Sequence, residues 1–409
     1  MDPPGTALVI WDPRFREYDF GPDHPFQQKT RELAVRLLDS AGGFRSPRPA
    51  RCVEAVDPAP LEALERFHHP SYLDLVAERS EKSRAPPFDS GDTPVFPGCF
   101  GASARIVGGA LRAMEALVRR DAVRAFHPSG GLHHAHPDAA SGFCIFNDIA
   151  VAIASAVGPG KPFARAAYLD IDAHHGDGVM YGFYESGRVL DIDFHQDGRT
   201  LFPGTGRTDE IGAGDGAGAK VNLPLPPGSG DGVLIGSFRR VVPTMLRAFR
   251  PEIIILQHGV DGHAGDRLAG LRYSGAGYLS VLNELLALAD ELCQGRILVT
   301  GGGGYTPGNV SRVLAMAGLR LADRSPPAGP LPERWRQEFA SVTGESPPVD
   351  WTDPPPARSG DGAESVVEFL AQELSERLGV KFPRPDPSPT LTRSAGVPDL
   401  ATDRNGDGD

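Results

Sequence analysis

The run Tyr168-Leu169-Asp170-Ile171-Asp172-Ala173-His174-His175-Gly176-Asp177 sets two aspartates and a histidine at alternate positions. In a strand alternate side chains share a face, so Asp170, Asp172 and His174 can point together. An Asp and a His two apart can bind one divalent ion, and Asp261, in Gln257-His258-Gly259-Val260-Asp261, could close the site. Three protein ligands with an open position is the catalytic arrangement for zinc, whereas structural zinc prefers four ligands rich in Cys. An oxygen-rich set also suits Fe(II) or Mn(II), so ligand type alone does not choose the metal. His133-His134 follows a Gly-Gly turn. Neutral imidazole can take a proton from an activated water and imidazolium can return one to a leaving amine. Buried carboxylates such as Asp170 and Asp177 could tune the two rings apart. Tyr305, after four glycines, offers a hydroxyl that could polarise a carbonyl opposite the metal. Activated water, proton shuttle and oxyanion donor together describe amide hydrolysis.

These residues need a frame to bring them to one place. Short β-branched runs at 123–126, 166–172, 189–194, 252–257 and 296–300 read as strands, and 102–120, 231–249 and 277–294 read as amphipathic helices. That rhythm predicts an α/β fold, a three-layer α/β/α sandwich around a mostly parallel sheet. In such sheets ligands bind beyond the carboxyl ends of the strands. Four predicted strand ends run into reactive residues: His127 to His134, Asp170 to Gly178, Gln257 to Asp261, and Gly301 to Tyr305. The expected organisation is a catalytic domain over 1–325, a Pro-rich wrapping extension over 326–382 with a helix at 364–378, and a disordered tail over 383–409. Asp403 to Asp409 matches the first half of a calcium loop, but the Glu required at its twelfth position does not follow, so it reads as chance acidity.

The chain has 409 residues with 41 Lys+Arg against 53 Asp+Glu, a formal charge of −12, which argues against holding nucleic acid by its phosphates. Lysine occurs only at Lys29, Lys82, Lys161, Lys220 and Lys381. No apolar run approaches the roughly 20 residues that cross a bilayer, and the start Met1-Asp2-Pro3-Pro4-Gly5 lacks the parts of a signal peptide. Cys52, Cys99, Cys144 and Cys293 form no CxxC pair. A cytoplasmic protein without nucleic-acid or membrane partners is expected. The P-loop, the GxSxG elbow and the GxGxxG turn are absent, against nucleotide-dependent and serine-hydrolase chemistry.

The chain resembles the zinc-dependent histone deacetylase superfamily, with its arginase-like fold. The matching segments are GGLHHAHPDAASGFCIFNDIA (130–150), YLDIDAHHGDGV (168–179), LFPGTG (201–206), QHGVDGHAGDRLAG (257–270) and GGGGYT (301–306). YDFGPDHPFQQK (18–29) looks most like the bacterial acetoin-utilisation branch. The resemblance implies zinc, or ferrous iron, on Asp172, His174 and Asp261. It implies His134 as general base and then acid, His133 as its electrostatic partner, Asp177 supporting His134 and Asp170 supporting His133. Tyr305 would stabilise the oxyanion. Asp92 would hold substrate backbone, Gly142, Phe143 and Phe202 would line an acyl-lysine tunnel, and Leu268 would stand at its rim.

Three positions depart from the family pattern. Asp193 stands where many relatives carry a Ser near a potassium ion, so a potassium site near Asp170 and Asp193 is expected with an added carboxylate. Thr30 replaces an Arg of the inner, acetate-releasing channel, with Arg31 beside it. Leu268 supplies no acidic gate of the kind polyamine-selective relatives use. The leading expectation is removal of acetyl groups from protein lysines, with a metabolic enzyme as the implied partner. An acetylpolyamine or other small acetylamide is the alternative substrate. An arginase-like ureohydrolase would need more bridging carboxylates, and a silent acetyl-lysine binder would have lost one of Tyr305, His134 or the ligands.

Overall fold

The computed structural model describes residues 7–45, 50–82, 85–353 and 362–384. Eight strands form one wholly parallel sheet: β1 (Ala7–Ile10), β2 (Arg51–Val53), β3 (Arg124–His127), β4 (Ala166–Asp170), β5 (Val189–Gln196), β6 (Lys220–Leu225), β7 (Ile253–Gln257) and β8 (Ile297–Thr300). Their order across the sheet is β2-β1-β3-β8-β7-β4-β5-β6. The central strands read as unbroken apolar runs because both faces are covered. Along β7, Ile254 and Leu256 enter one core while Ile253 and Ile255 enter the other.

Helices cover both faces. Cys99–Arg119 and Asp148–Ala156 supply the core on one side. Lys29–Ser40, Asp231–Phe249, Gly275–Cys293 and Pro307–Leu321 supply the other. Cys99–Arg119, Asp231–Phe249 and Gly275–Cys293 match the amphipathic stretches read from the sequence within a few residues, while Lys29–Ser40, Asp148–Ala156 and Pro307–Leu321 were not anticipated. β1, β2 and β6 were not anticipated: β1 and β2 have only four and three residues, and β6 opens on a lysine and contains Pro224.

The segment after 325 packs into the main domain. Trp335, Phe339, Trp351, Leu370 and Leu374 are buried in the same core as the helices beneath them. The Trp335 indole also donates to the Leu33 carbonyl at 2.8 Å, tying Glu333–Thr343 to Lys29–Ser40. The anticipated helix near the end runs from Ala363 to Leu378. Of the disordered tail expected over 383–409, everything beyond Arg384, including the calcium-loop look-alike, lies outside the described residues. Among the described residues no helix is long and apolar enough to cross a membrane.

The topology places the chemistry. β3, β8, β7 and β4 are successive neighbours, so the four reactive strand ends emerge side by side on one rim. Trp335→Ala should lower stability by about 3–5 kcal/mol, the cost of a large core cavity, read as a shift in the urea midpoint. An unchanged midpoint would show that the extension does not contribute to the core.

Candidate active site

β4 ends at Asp170, so the Asp172 and His174 side chains come from a loop, not from one strand face. This corrects the alternation argument. Asp170 turns the chain: its Oδ1 accepts the Asp172 N–H at 3.0 Å, and Asp172 Oδ1 accepts the His174 N–H at 3.0 Å. The loop after β7 delivers Asp261, whose Oδ1 accepts the Ala173 N–H at 2.7 Å. These local bonds draw Asp172, His174 and Asp261 together, with one ligand atom from each within 4.8 Å of the others and all three residues buried. His174 Nδ1 lies 3.1 Å from Asp172 Oδ1 and 2.9 Å from Asp261 Oδ2.

The electrostatics of the cluster fit a cation. Burial and the neighbouring Asp172 charge push the Asp261 carboxyl up to about 8. Burial opposes charge on His174, yet the two carboxylates outweigh it and raise the ring to about 10. Two carboxylates facing each other out of water repel unless positive charge stands between them. Two oxygens and one imidazole nitrogen, held by second bonds to backbone, are a donor set for a borderline divalent ion.

The paired histidines lie beside this cluster. Asp148 accepts the Gly131 and Leu132 N–H groups and so shapes the turn that presents them. His133 Nδ1 is 2.7 Å from Asp170 Oδ2, His134 Nδ1 is 2.7 Å from Asp177 Oδ1, and the two Nε2 atoms are 3.0 Å apart. Burial disfavours charge on both rings, but the outcomes diverge. Asp170, then Asp172, reverses the burial penalty and lifts His133 to about 10. For His134, burial and the adjacent His133 charge outweigh Asp177 and hold the ring at about 4. One ring is thus a fixed cation and the other a free base at neutral pH, with Nδ1–H of His134 donating to Asp177.

Tyr305 arrives from the Gly-rich loop after β8, its N–H donating to Asp266 Oδ2 at 2.8 Å. Burial and the charges of Asp261 and Asp172 hold the phenol well above its ordinary value, so it remains a donor. Phe143 faces Tyr305 at 5.8 Å between ring centroids, and Phe202 faces His134 at 5.1 Å and His174 at 6.4 Å. Gly142 and Phe143 both take positive φ, 52° and 69°. A Cβ at Gly142 would stand 2.4 Å from the His134 ring, so this close approach requires glycine. Asp92 lies exposed at the outer edge, where its carbonyl meets His24 Nε2 at 3.2 Å. Leu268, 43% exposed, borders a cavity of about 320 Å³ shared with Tyr305, Lys29 and Glu345.

Gln257, Thr93 and Tyr18 were given no role in the sequence reading, whereas Arg31 and Asp193 were noted there. Gln257 Nε2 donates to Asp172 Oδ2 at 2.8 Å, which also accepts the Gly303 N–H at 2.8 Å. Thr93 Oγ1 accepts the Phe143 N–H at 3.0 Å, and Tyr18 donates to the Phe143 carbonyl at 2.6 Å. Arg31 is buried: it donates to the Gly302 carbonyl at 2.6 Å and to Thr30 Oγ1 at 2.9 Å. Burial pulls its guanidinium down to about 10, against the pull of Tyr305, Asp261 and Asp172. Asp193 Oδ2 accepts the Gly176 N–H at 2.7 Å, and burial with Asp170 raises its carboxyl well above the ordinary range.

A family model described as "Histone deacetylase domain" matches residues 24–320. The acetoin utilization protein AcuC of Bacillus subtilis (strain 168) is 33% identical over 387 residues, covering 91% of this chain and 96% of that protein. AcuC of Staphylococcus xylosus is 34% identical over 361 residues, with 85% and 91% covered. A probable deacetylase of Archaeoglobus fulgidus is 33% identical, with 82% and 93% covered. The crystal structure of a histone deacetylase homologue complexed with SAHA superposes with a TM-score of 0.79 at 27% identity, covering 90% of this chain and all of that one.

Asp261→Asn should abolish tight uptake of one divalent ion per chain, measured by elemental analysis after dialysis and by chelator competition. Retention of stoichiometric metal by a folded variant would remove Asp261 from the ligand set.

Proposed function

The chain belongs to the histone deacetylase family, a family of metal-dependent hydrolytic deacetylases, and on that premise we propose that it removes acetyl groups from lysine side chains of proteins. The observation that carries this reading is the juxtaposition of the Asp172–His174–Asp261 cluster, the His133–His134 pair of opposite charge preference, and Tyr305. Zinc is the proposed ion, with ferrous iron compatible with the same donors. When bound, the ion supplies Lewis acidity for the scissile carbonyl and for a water molecule.

The chain's own residues do the rest. His134, neutral at its Nε2, accepts the proton of the attacking water. Asp177 fixes its tautomer by taking the Nδ1 hydrogen and favours the imidazolium that forms. His133, kept cationic by Asp170, favours negative charge in the reacting group and holds His134 low enough to return its proton to the leaving lysine amine. Tyr305 donates to the developing oxyanion, which its raised pKa allows throughout the neutral range. Phe143 and Phe202 exclude water and admit a slim aliphatic stem. Asp92, exposed at the edge, is placed to accept a peptide N–H, and Arg31 offers the acetate product a buried cation near Gly302. Leu268 gives a second ammonium no carboxylate, which supports protein lysine over an acetylpolyamine. The conflict between the Asp170 and Asp193 carboxyls supports a potassium ion beside them.

Acetate release from acetyl-lysine peptides and from acetylputrescine, with zinc, ferrous iron and cobalt, tests the substrate. Greater turnover of the polyamine, or none of the peptide with any metal, would overturn the reading. Tyr305→Phe should lower kcat by about 100-fold or more with a small change in KM, the usual effect of losing an oxyanion donor. Because His134 is held at about 4 and acts in its basic form, kcat/KM should stay level from pH 8 down to pH 6. An acid limb centred near the ordinary histidine value would contradict that role.

A further inference from the structure

Lys220, the first residue of β6, is one of the few lysines of this chain and is fully buried. Its Nζ lies 2.8 Å from the Val189 carbonyl, 3.2 Å from that of Ser186 and 3.3 Å from that of Ala219. The Ser186 oxygen comes from the turn that leads into β5, the Val189 oxygen from the first residue of that strand, and the Ala219 oxygen from the residue just before β6. An ammonium has three donors and no acceptor, so three carbonyls satisfy it fully. Asp191 is buried opposite Lys220 in the β5–β6 register; burial and the neighbouring Asp193 push its carboxyl well above the ordinary range, and Lys220 pulls against that rise. Burial lowers the lysine to about 8 and Asp191 opposes that fall, which leaves the ammonium charged at neutral pH.

Backbone carbonyls converging on one point are also how proteins replace the hydration shell of a monovalent ion, and ammonium and potassium accept the same oxygen ligands. We propose that the Ser186, Val189 and Ala219 carbonyls form a monovalent-cation site whose occupant is the chain's own Lys220 ammonium. The tethered charge closes the turn that launches β5, the strand bearing Asp193 and His195, without drawing an ion from solution. Shortening the side chain should convert the same cage into a site for free potassium. This inference is independent of the acetyl-lysine reading and of the potassium proposed beside Asp170, because its readout is a difference between variant and wild type.

The test measures Tm at equal ionic strength in potassium, sodium and choline chlorides for wild type, Lys220→Ala and Lys220→Met. In Lys220→Ala the excess of Tm in potassium over choline should exceed the wild-type excess by about 2 °C or more and should saturate with potassium, as for a ligand that binds only the folded state. Lys220→Met should be destabilised with no added potassium effect, since its side chain still fills the cage. An alanine variant with the wild-type salt response would overturn the proposal. Should that variant yield no folded protein, the wild-type lysine ¹⁵N spectrum decides. One slowly exchanging ammonium at pH 7 is expected, and its absence would overturn the assignment.

Discussion

Burying like charges is the constraint around which this molecule is organised. Asp170, Asp172, Asp193 and Asp261 are all withdrawn from water near the carboxyl edge of one sheet. Isolated buried carboxylates cost several kcal/mol each and either take up protons or acquire partners. Here the partners are built in pieces: His133 for Asp170, His174 for Asp172 and Asp261, and a backbone N–H group for each of the four. Charge separation between His133 and His134 follows from the same arrangement. Once Asp170 commits His133 to the charged form, His134 can ionise only against a neighbouring cation.

The residues of the candidate site were legible from the sequence because strand-end clustering of acids and imidazoles is a strong pattern. Asp172, His174 and Asp261 do meet, and each histidine has the carboxylate anticipated for it. The physical route was different. Alternation along a strand cannot place Asp172 and His174, since the strand stops where Asp170 begins to accept backbone N–H groups. Periodicity reports side-chain direction only while the backbone stays extended.

The supporting residues were not legible for a related reason. Asp148, Thr93, Asp266 and Tyr18 act on main-chain groups of distant loops. A backbone N–H looks the same in every residue, so no compositional signal marks its partner. Gln257 sits at a strand end that was noticed, yet nothing local indicated that its amide would cross to Asp172. Arg31 was seen only as the neighbour of Thr30; its role depends on the helix Lys29–Ser40 turning it inward toward Gly302. The edge strand β2 went unseen because three residues, none of them buried, hold too little pattern to separate from loop.

The strand order has a consequence for how such a protein is made. β3 and β4 come early in the chain, yet the strands seated between them, β8 and β7, come late. During synthesis the growing polypeptide therefore carries His133, His134, Asp172 and His174 long before Asp261 and Tyr305 leave the ribosome. Two of the three residues of the Asp172–His174–Asp261 cluster would wait on an incomplete sheet, at the stage when nascent chains are most prone to misassembly. Only when β7 has entered the sheet between β8 and β4 does Asp261 meet Asp172 and His174, so the three-residue cluster exists only in the finished molecule.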